Sequence, residues 1–128
     1  MRFLSPPRAG VETGSVTVVL CGVLALVTAL TLAIGRLAAV TVAVARAETA
    51  ADAAALAAAG ELAAGRSAAE AGRSASSTAK ANGARLLRCE CAGQGATVTV
   101  AVTLLGPGSP ASLVKAAARA ELHPDCPG

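Results

Sequence analysis

The chain contains no tryptophan and no tyrosine, and one phenylalanine in 128 residues. Aromatic rings supply the largest buried areas in small cores. Their absence excludes an independent globule built around a bulky core, and a chain this short buries a modest fraction of its surface in any case. It also removes the stacking platform on which single-stranded nucleic acids lie. Charge is scarce: Asp, Glu, Lys and Arg make up 15% of the residues, and the net charge is +3. So small an excess, scattered along the chain, gives no reason to expect a nucleic-acid partner. The single histidine, His123, lies in a Pro-rich tail, where a solvated side chain is the simpler reading. The sequence has no Gly-x-Ser-x-Gly, no phosphate-binding loop and no carboxylate pair with a pocket around it. Nothing beside the serines of RSASSTAK would activate one as a nucleophile. These absences point away from an enzyme, from a cofactor and from a small-molecule substrate.

What fills the chain is mostly alanine and valine, within a hydrophobic content of 54%. Between Glu12 and Arg36 lie 23 residues without a charge, and Val16 to Ile34 reads VTVVLCGVLALVTALTLAI. At 1.5 Å per residue, about 20 helical residues cross a bilayer core of about 30 Å. A buried core helix is the alternative, but the rest of the chain has nothing large enough to surround one. A secretory signal has an apolar region of roughly 7–15 residues and then a small-residue cleavage site. This run is longer and continues into more helix, so a retained anchor is expected. Arg2, Arg8 and the amino terminus precede it, opposed by Glu12, whereas Arg36 and Arg46 beyond it are balanced by Glu48 and Asp52. Positive residues favour the cytoplasmic side. The expected topology is a single pass through the cell membrane, with the N-terminus cytoplasmic and the C-terminal part outside. Pro6 and Pro7 disfavour helix ahead of the run.

No breaker separates the anchor from the alanine-rich stretch that follows. Alanine, the best helix former, fills 11 of the 18 positions from Ala47 to Ala64. One continuous helix from about Gly14 to Ala64 is expected. Gly22, Gly35 and Gly60 lie inside it, where small residues let another helix approach closely. Glu48 and Asp52 share a face at i, i+4, readable as a solvated face or as a face for a basic partner.

Residues 66–82 predict a second, weaker helix, with Asn82-Gly83 suited to end it in the left-handed conformation. From Ala84 the period becomes two. In RLLRCEC, alternation places Leu87, Cys89 and Cys91 on one face and Leu86, Arg88 and Glu90 on the other. ATVTVAVTLL, residues 96–105, alternates strictly, with Val98, Val100, Val102 and Leu104 against Thr97, Thr99 and Thr103, the clearest strand pattern in the chain. Residues 112–122 read as helix or strand. As a strand they set Lys115, Arg119 and Glu121 against Val114, Ala116, Ala118, Ala120 and Leu122. The strand is favoured because a two-stranded hairpin alone is marginal in water. The fold class is therefore α+β. The segments are a cytoplasmic N-terminus at 1–14, a transmembrane helix at 15–35, an Ala-rich helical region at 36–82, a small antiparallel sheet at 84–122 and a Pro-rich tail at 123–128.

Cys21 lies in the anchor as a small apolar thiol. Cys89, Cys91 and Cys126 lie in the outer part, where disulfides can form. Cys89 and Cys91, two apart on one strand, make poor partners for each other. Pairing of Cys91 with Cys126 is expected, with Cys89 as the alternative. Cys89, Cys91, His123 and Cys126 could supply four metal ligands on paper, but their spacing matches no common zinc pattern.

Three stretches resemble one family. ETAADAAALAAAGEL after a membrane helix is similar to the region following the anchor in the TadE/TadG group of pilus-assembly proteins. ETGSVTVVLCGVLAL and AKANGARLLRCEC resemble an actinobacterial TadE-like branch of that group. The resemblance covers about residues 12–122. It implies a pilin-like minor component of a Tad/Flp-type pilus or secretion apparatus, packing by its helix against other pilus or secretion subunits. It also implies a leader cut after a glycine on the cytoplasmic side, the matching positions being Gly14 and Ser15. Gly10 is a second candidate, though it places Glu12 too early. The Glu that many relatives carry five residues after the cut is Val19 here, a departure from the pattern. The alternative function is a single-pass envelope binding, receptor or chaperone-like module unrelated to pili. Such a module should carry a concave pocket with convergent polar groups.

Overall fold

The structure, a computed structural model, describes residues 9–106 and 111–122, with side chains from Gly14 onward. The elements are α1 (Ala9–Ala63), α2 (Ala68–Ala81), β1 (Arg85–Ala92), β2 (Gly95–Leu104) and β3 (Ser112–Glu121). The α+β reading stands: a long apolar helix, a short one, then a three-stranded antiparallel sheet in the order β1-β2-β3. The ambiguous segment at 112–122 is a strand. α1 begins at Ala9, earlier than the expected Gly14. The chain divides into two compact units at Ala38, and α1 runs through both.

In the first unit every described side chain is exposed, from Gly14 to Ala38. Val16, Leu26 and Ile34 are 67%, 62% and 66% exposed. Its threonines hide their hydroxyls: Thr28 Oγ1 donates to the Leu24 carbonyl and Thr31 Oγ1 to the Val27 carbonyl, both at 2.8 Å. A hydroxyl bonded back to the i−4 carbonyl no longer needs water, so these residues carry little of the usual cost of burying a polar group. This part of α1 is long and apolar enough to cross a membrane, and none of its most apolar window is covered by protein.

In the second unit α1 buries one broad stripe of alanines, including Ala47, Ala51, Ala55 and Ala59 in one lane and Ala50, Ala54 and Ala58 beside it. α2 adds Ala71, Ala75 and Ala79 at four-residue spacing. These join the inner face of the sheet in one core with Ala96, Val98, Val100 and Val102 of β2. Val98 and Val100 are the largest fully buried side chains. With methyl groups as the filling, close packing requires the backbones themselves to approach closely.

Both helices end the same way. At the end of α1, Gly65 N–H donates to Leu62 O and Arg66 N–H to Glu61 O; at the end of α2, Gly83 N–H donates to Lys80 O and Ala84 N–H to Ala79 O. Gly65 and Gly83 have φ of 77° and 75°. This is the Schellman arrangement, which satisfies the last carbonyls and needs a left-handed residue that glycine supplies without strain.

The face assignment of β1 is corrected. Register shifts between Leu86 and Arg88, leaving Leu86 opposite Val100, Cys89 opposite Val98 and Cys91 opposite Ala96. Leu87 is the extra residue of a bulge, and a bulge flips every alternation that crosses it. Leu86, not Leu87, therefore joins Cys89 and Cys91 against the core, and Leu87 is exposed.

Candidate functional site

The candidate cut between Gly14 and Ser15 lies within α1 and is exposed. A Cβ built on Gly14 would meet nothing, so the glycine is not required by packing. Cleavage there would need the helix to open locally, which glycine eases because it is a poor helix former. Val19 is exposed one turn on, and Gly10 lies earlier in α1.

Glu48 and Asp52 are exposed on α1, beside the buried lane of Ala47, Ala51 and Ala55. Leu56, 64% exposed, continues the same face at the next four-residue step. The structure thus presents two carboxylates and a leucine on the face of α1 that its own fold leaves open.

The sulfurs of Cys89 and Cys91 are joined in a disulfide, with Cα atoms 5.5 Å apart. That separation falls within the usual span for a cystine. This corrects the expectation that two cysteines two apart on one strand make poor partners: both lie on the inner face of β1, which brings them together without help from another element. The expected Cys91–Cys126 pairing, and the Cys89–Cys126 alternative, involve a residue that lies outside the described residues, as does His123. Cys21 is free and exposed on α1.

On the outer face of the sheet, register aligns Glu90, Thr97 and Arg119 across the three strands. With Gln94, Gly95 and Glu121 they line an open depression of about 410 Å³. Its charges are matched within each strand. Arg88 Nη2 lies 3.3 Å from Glu90 Oε1, and Arg119 Nε donates to Glu121 Oε1 at 3.0 Å. Exposed pairs of this kind contribute little energy.

The α1–α2 connection carries the one resolved pKa perturbation among the described groups. Glu70 is held below the ordinary glutamate range, chiefly by the Ser67 backbone N–H and then by the Ser67 hydroxyl, with Arg66 and Arg73 adding smaller attractions. Ser67-x-x-Glu70 is the sequence signature of a capping box, a signal carried by neither composition nor period.

Residues 14–61 match the model of the Tad family, described as Flp pilus-assembly TadE/G-like. The match covers well under half of the chain. It takes in the apolar run and the alanine stripe of α1 and ends before α2. No curated protein and no solved structure matches the chain.

Proposed function

We propose that this protein is a membrane-anchored, pilin-like structural component of a Tad/Flp-type pilus or secretion apparatus. The observation that carries this reading is the coincidence of the TadE/G-like match at residues 14–61 with a helix that exposes an uncovered apolar surface. The first part of α1 serves as anchor and as the surface that packs on other subunits, with Gly22 and Gly35 allowing close approach. The N-terminus, with Arg2 and Arg8, stays cytoplasmic by the positive-inside rule, and the unit that follows Ala38 stands outside. Gly14–Ser15 is the site of leader removal. The face carrying Glu48, Asp52 and Leu56 meets a neighbouring subunit. The role is structural, not catalytic.

The test is fractionation of expressing cells, followed by mass spectrometry of the mature N-terminus and of proteins cross-linked to α1. A mature chain that begins at Ser15, sits in the membrane or in sheared surface material, and cross-links to other Tad-type subunits is expected. A chain that keeps its N-terminus and cross-links to none of them overturns the reading.

A further inference from the structure

The sheet has two edges, and they are built differently. β1 forms one of them, is interrupted by the bulge at Leu87 and has α2 packed against it. β3 forms the other. Its register with β2 runs without a shift from Gly95–Glu121 to Leu104–Ser112, and it contains no proline and no glycine. Bulges, prolines and short length are the usual means by which proteins blunt an edge. β3 has none of them over its 10 residues.

The backbone groups on this edge can be assigned. The Leu122 N–H donates to the Gln94 carbonyl, one step beyond the Gly95–Glu121 pair. Hydrogen-bonded residues alternate along an antiparallel pair, so the even-numbered residues of β3 turn their N–H and C=O toward β2. Leu113, Lys115, Ala117 and Arg119 turn theirs to the open side, where no strand among the described residues pairs with them.

The side chains of β3 are also incompletely covered. On the inner face Val114, Ala116, Ala118 and Ala120 are half-buried, while Val102, Val100, Val98 and Ala96, opposite them on β2, are buried. A further strand beside β3 would extend the cover over that face. On the outer face Lys115 has no ion-pair partner among the described residues, and its row continues through Ala101 to Arg85, which has none among them either. Arg88 and Arg119, by contrast, are each paired with a glutamate.

We infer that the open edge of β3 accepts an extended segment of another protein chain as a fourth strand, one with small apolar residues toward the inner face and a carboxylate opposite Lys115. Main-chain hydrogen bonds to Leu113, Lys115, Ala117 and Arg119 supply the affinity in this mode, and the side-chain pattern supplies the choice of partner. Charge favours that occupant over a second copy. The outer face of β3 carries Lys115 and Arg119 against Glu121, so a copy that meets it through β3 sets two net positive rows together. A copy that meets it through β1 presents a bulged edge. The inference concerns the second unit alone and does not depend on anchoring by α1.

The test uses the full chain in detergent micelles and a synthetic peptide of about eight residues, the length of an ordinary strand. The peptide alternates valine and threonine around one central glutamate, and a second peptide has lysine in that place. Exchange of single backbone amides is followed by NMR. Without peptide, the amides of Leu113, Lys115, Ala117 and Arg119 should exchange fast. The glutamate peptide should slow them severalfold, and the lysine peptide much less. High salt should narrow that difference, because exposed charges are then screened. Lys115→Gln should also narrow it. Ala117→Pro removes an outward N–H and leaves the ladder with β2 whole, so it should abolish the slowing while the β2 amides keep their protection. Should the proline unfold the sheet, the comparison of the two peptides on Lys115→Gln decides. Unchanged exchange with both peptides overturns the inference, and equal slowing by both overturns the choice of an acidic partner. Slow exchange without peptide that speeds up on dilution assigns the edge to a second copy and overturns it as well.

Discussion

Ser67 and Glu70 cap α2 reciprocally. The Glu70 N–H donates to Ser67 Oγ at 3.3 Å, and the Ser67 N–H donates to Glu70 Oε2 at 2.9 Å. Two amides that no helical carbonyl can reach are thereby satisfied at the first turn. Ser67→Ala should cost about 1 kcal/mol, seen as faster amide exchange across α2. Glu70 has a depressed folded-state pKa, so its contribution is present above the unfolded-state value and is lost as pH falls through the folded one. Protection of α2 should therefore weaken on acidification, and Glu70→Gln should remove that step. An equal acid-induced loss in Glu70→Gln would assign it to another carboxylate.

The bulge at Leu87 makes an uncommon demand on two adjacent leucines. Leu86 packs on the core and Leu87 faces water. Leu86→Ala should destabilise the second unit by about 1–2 kcal/mol, below the ~2–5 kcal/mol of a fully buried leucine. Leu87→Ala should stay within about 0.5 kcal/mol of the parent. Denaturant titration of both variants checks this, and a larger loss at Leu87 would restore simple alternation.

Val100 is fully buried on the inner face, while Thr99, its neighbour, is half-buried on the outer. Val100→Asp places an unpaired charge among alanines and valines, at a cost of several kcal/mol. Thr99→Asp leaves its carboxylate beside water. Limited proteolysis should cut the first variant rapidly and the second at close to the parental rate. Comparable sensitivity would contradict the register.

Val27 sits near the middle of the uncharged run and is 52% exposed on α1. An arginine at the centre of a membrane helix costs roughly 2.5–3.5 kcal/mol on insertion scales. Val27→Arg should move a substantial fraction of the chain out of the alkali-resistant membrane pool. Unchanged retention would mean that this residue does not lie in the bilayer.

The sequence by itself determined the local elements. An uncharged run of bilayer length, alanine's helix propensity, the glycine after Asn82 and the strict alternation of 96–105 each act over a few residues, and they gave the type and order of the elements, although α1 begins at Ala9 and not at Gly14. Of the residues proposed for processing and for a partner face, Gly14, Ser15, Glu48 and Asp52 are all exposed on α1.

The tertiary structure decided what depends on partners distant in the chain. Alanine fills 11 of the 18 positions from Ala47 to Ala64, so Glu48 and Asp52 mark one exposed face but the remaining alanines look alike, and packing in the common core selected the lanes of Ala47 and Ala50. β3 is a strand because the open edge of β2 offers its unpaired backbone groups to a segment that was equally content as helix. The bulge placed Leu86 inward because inserting one residue reverses alternation, and periodicity cannot show an insertion. That β3 ends the sheet with an open edge was likewise decided by the fold, because strand order is set by pairing between segments distant in the chain and leaves no mark on the alternation within any one of them.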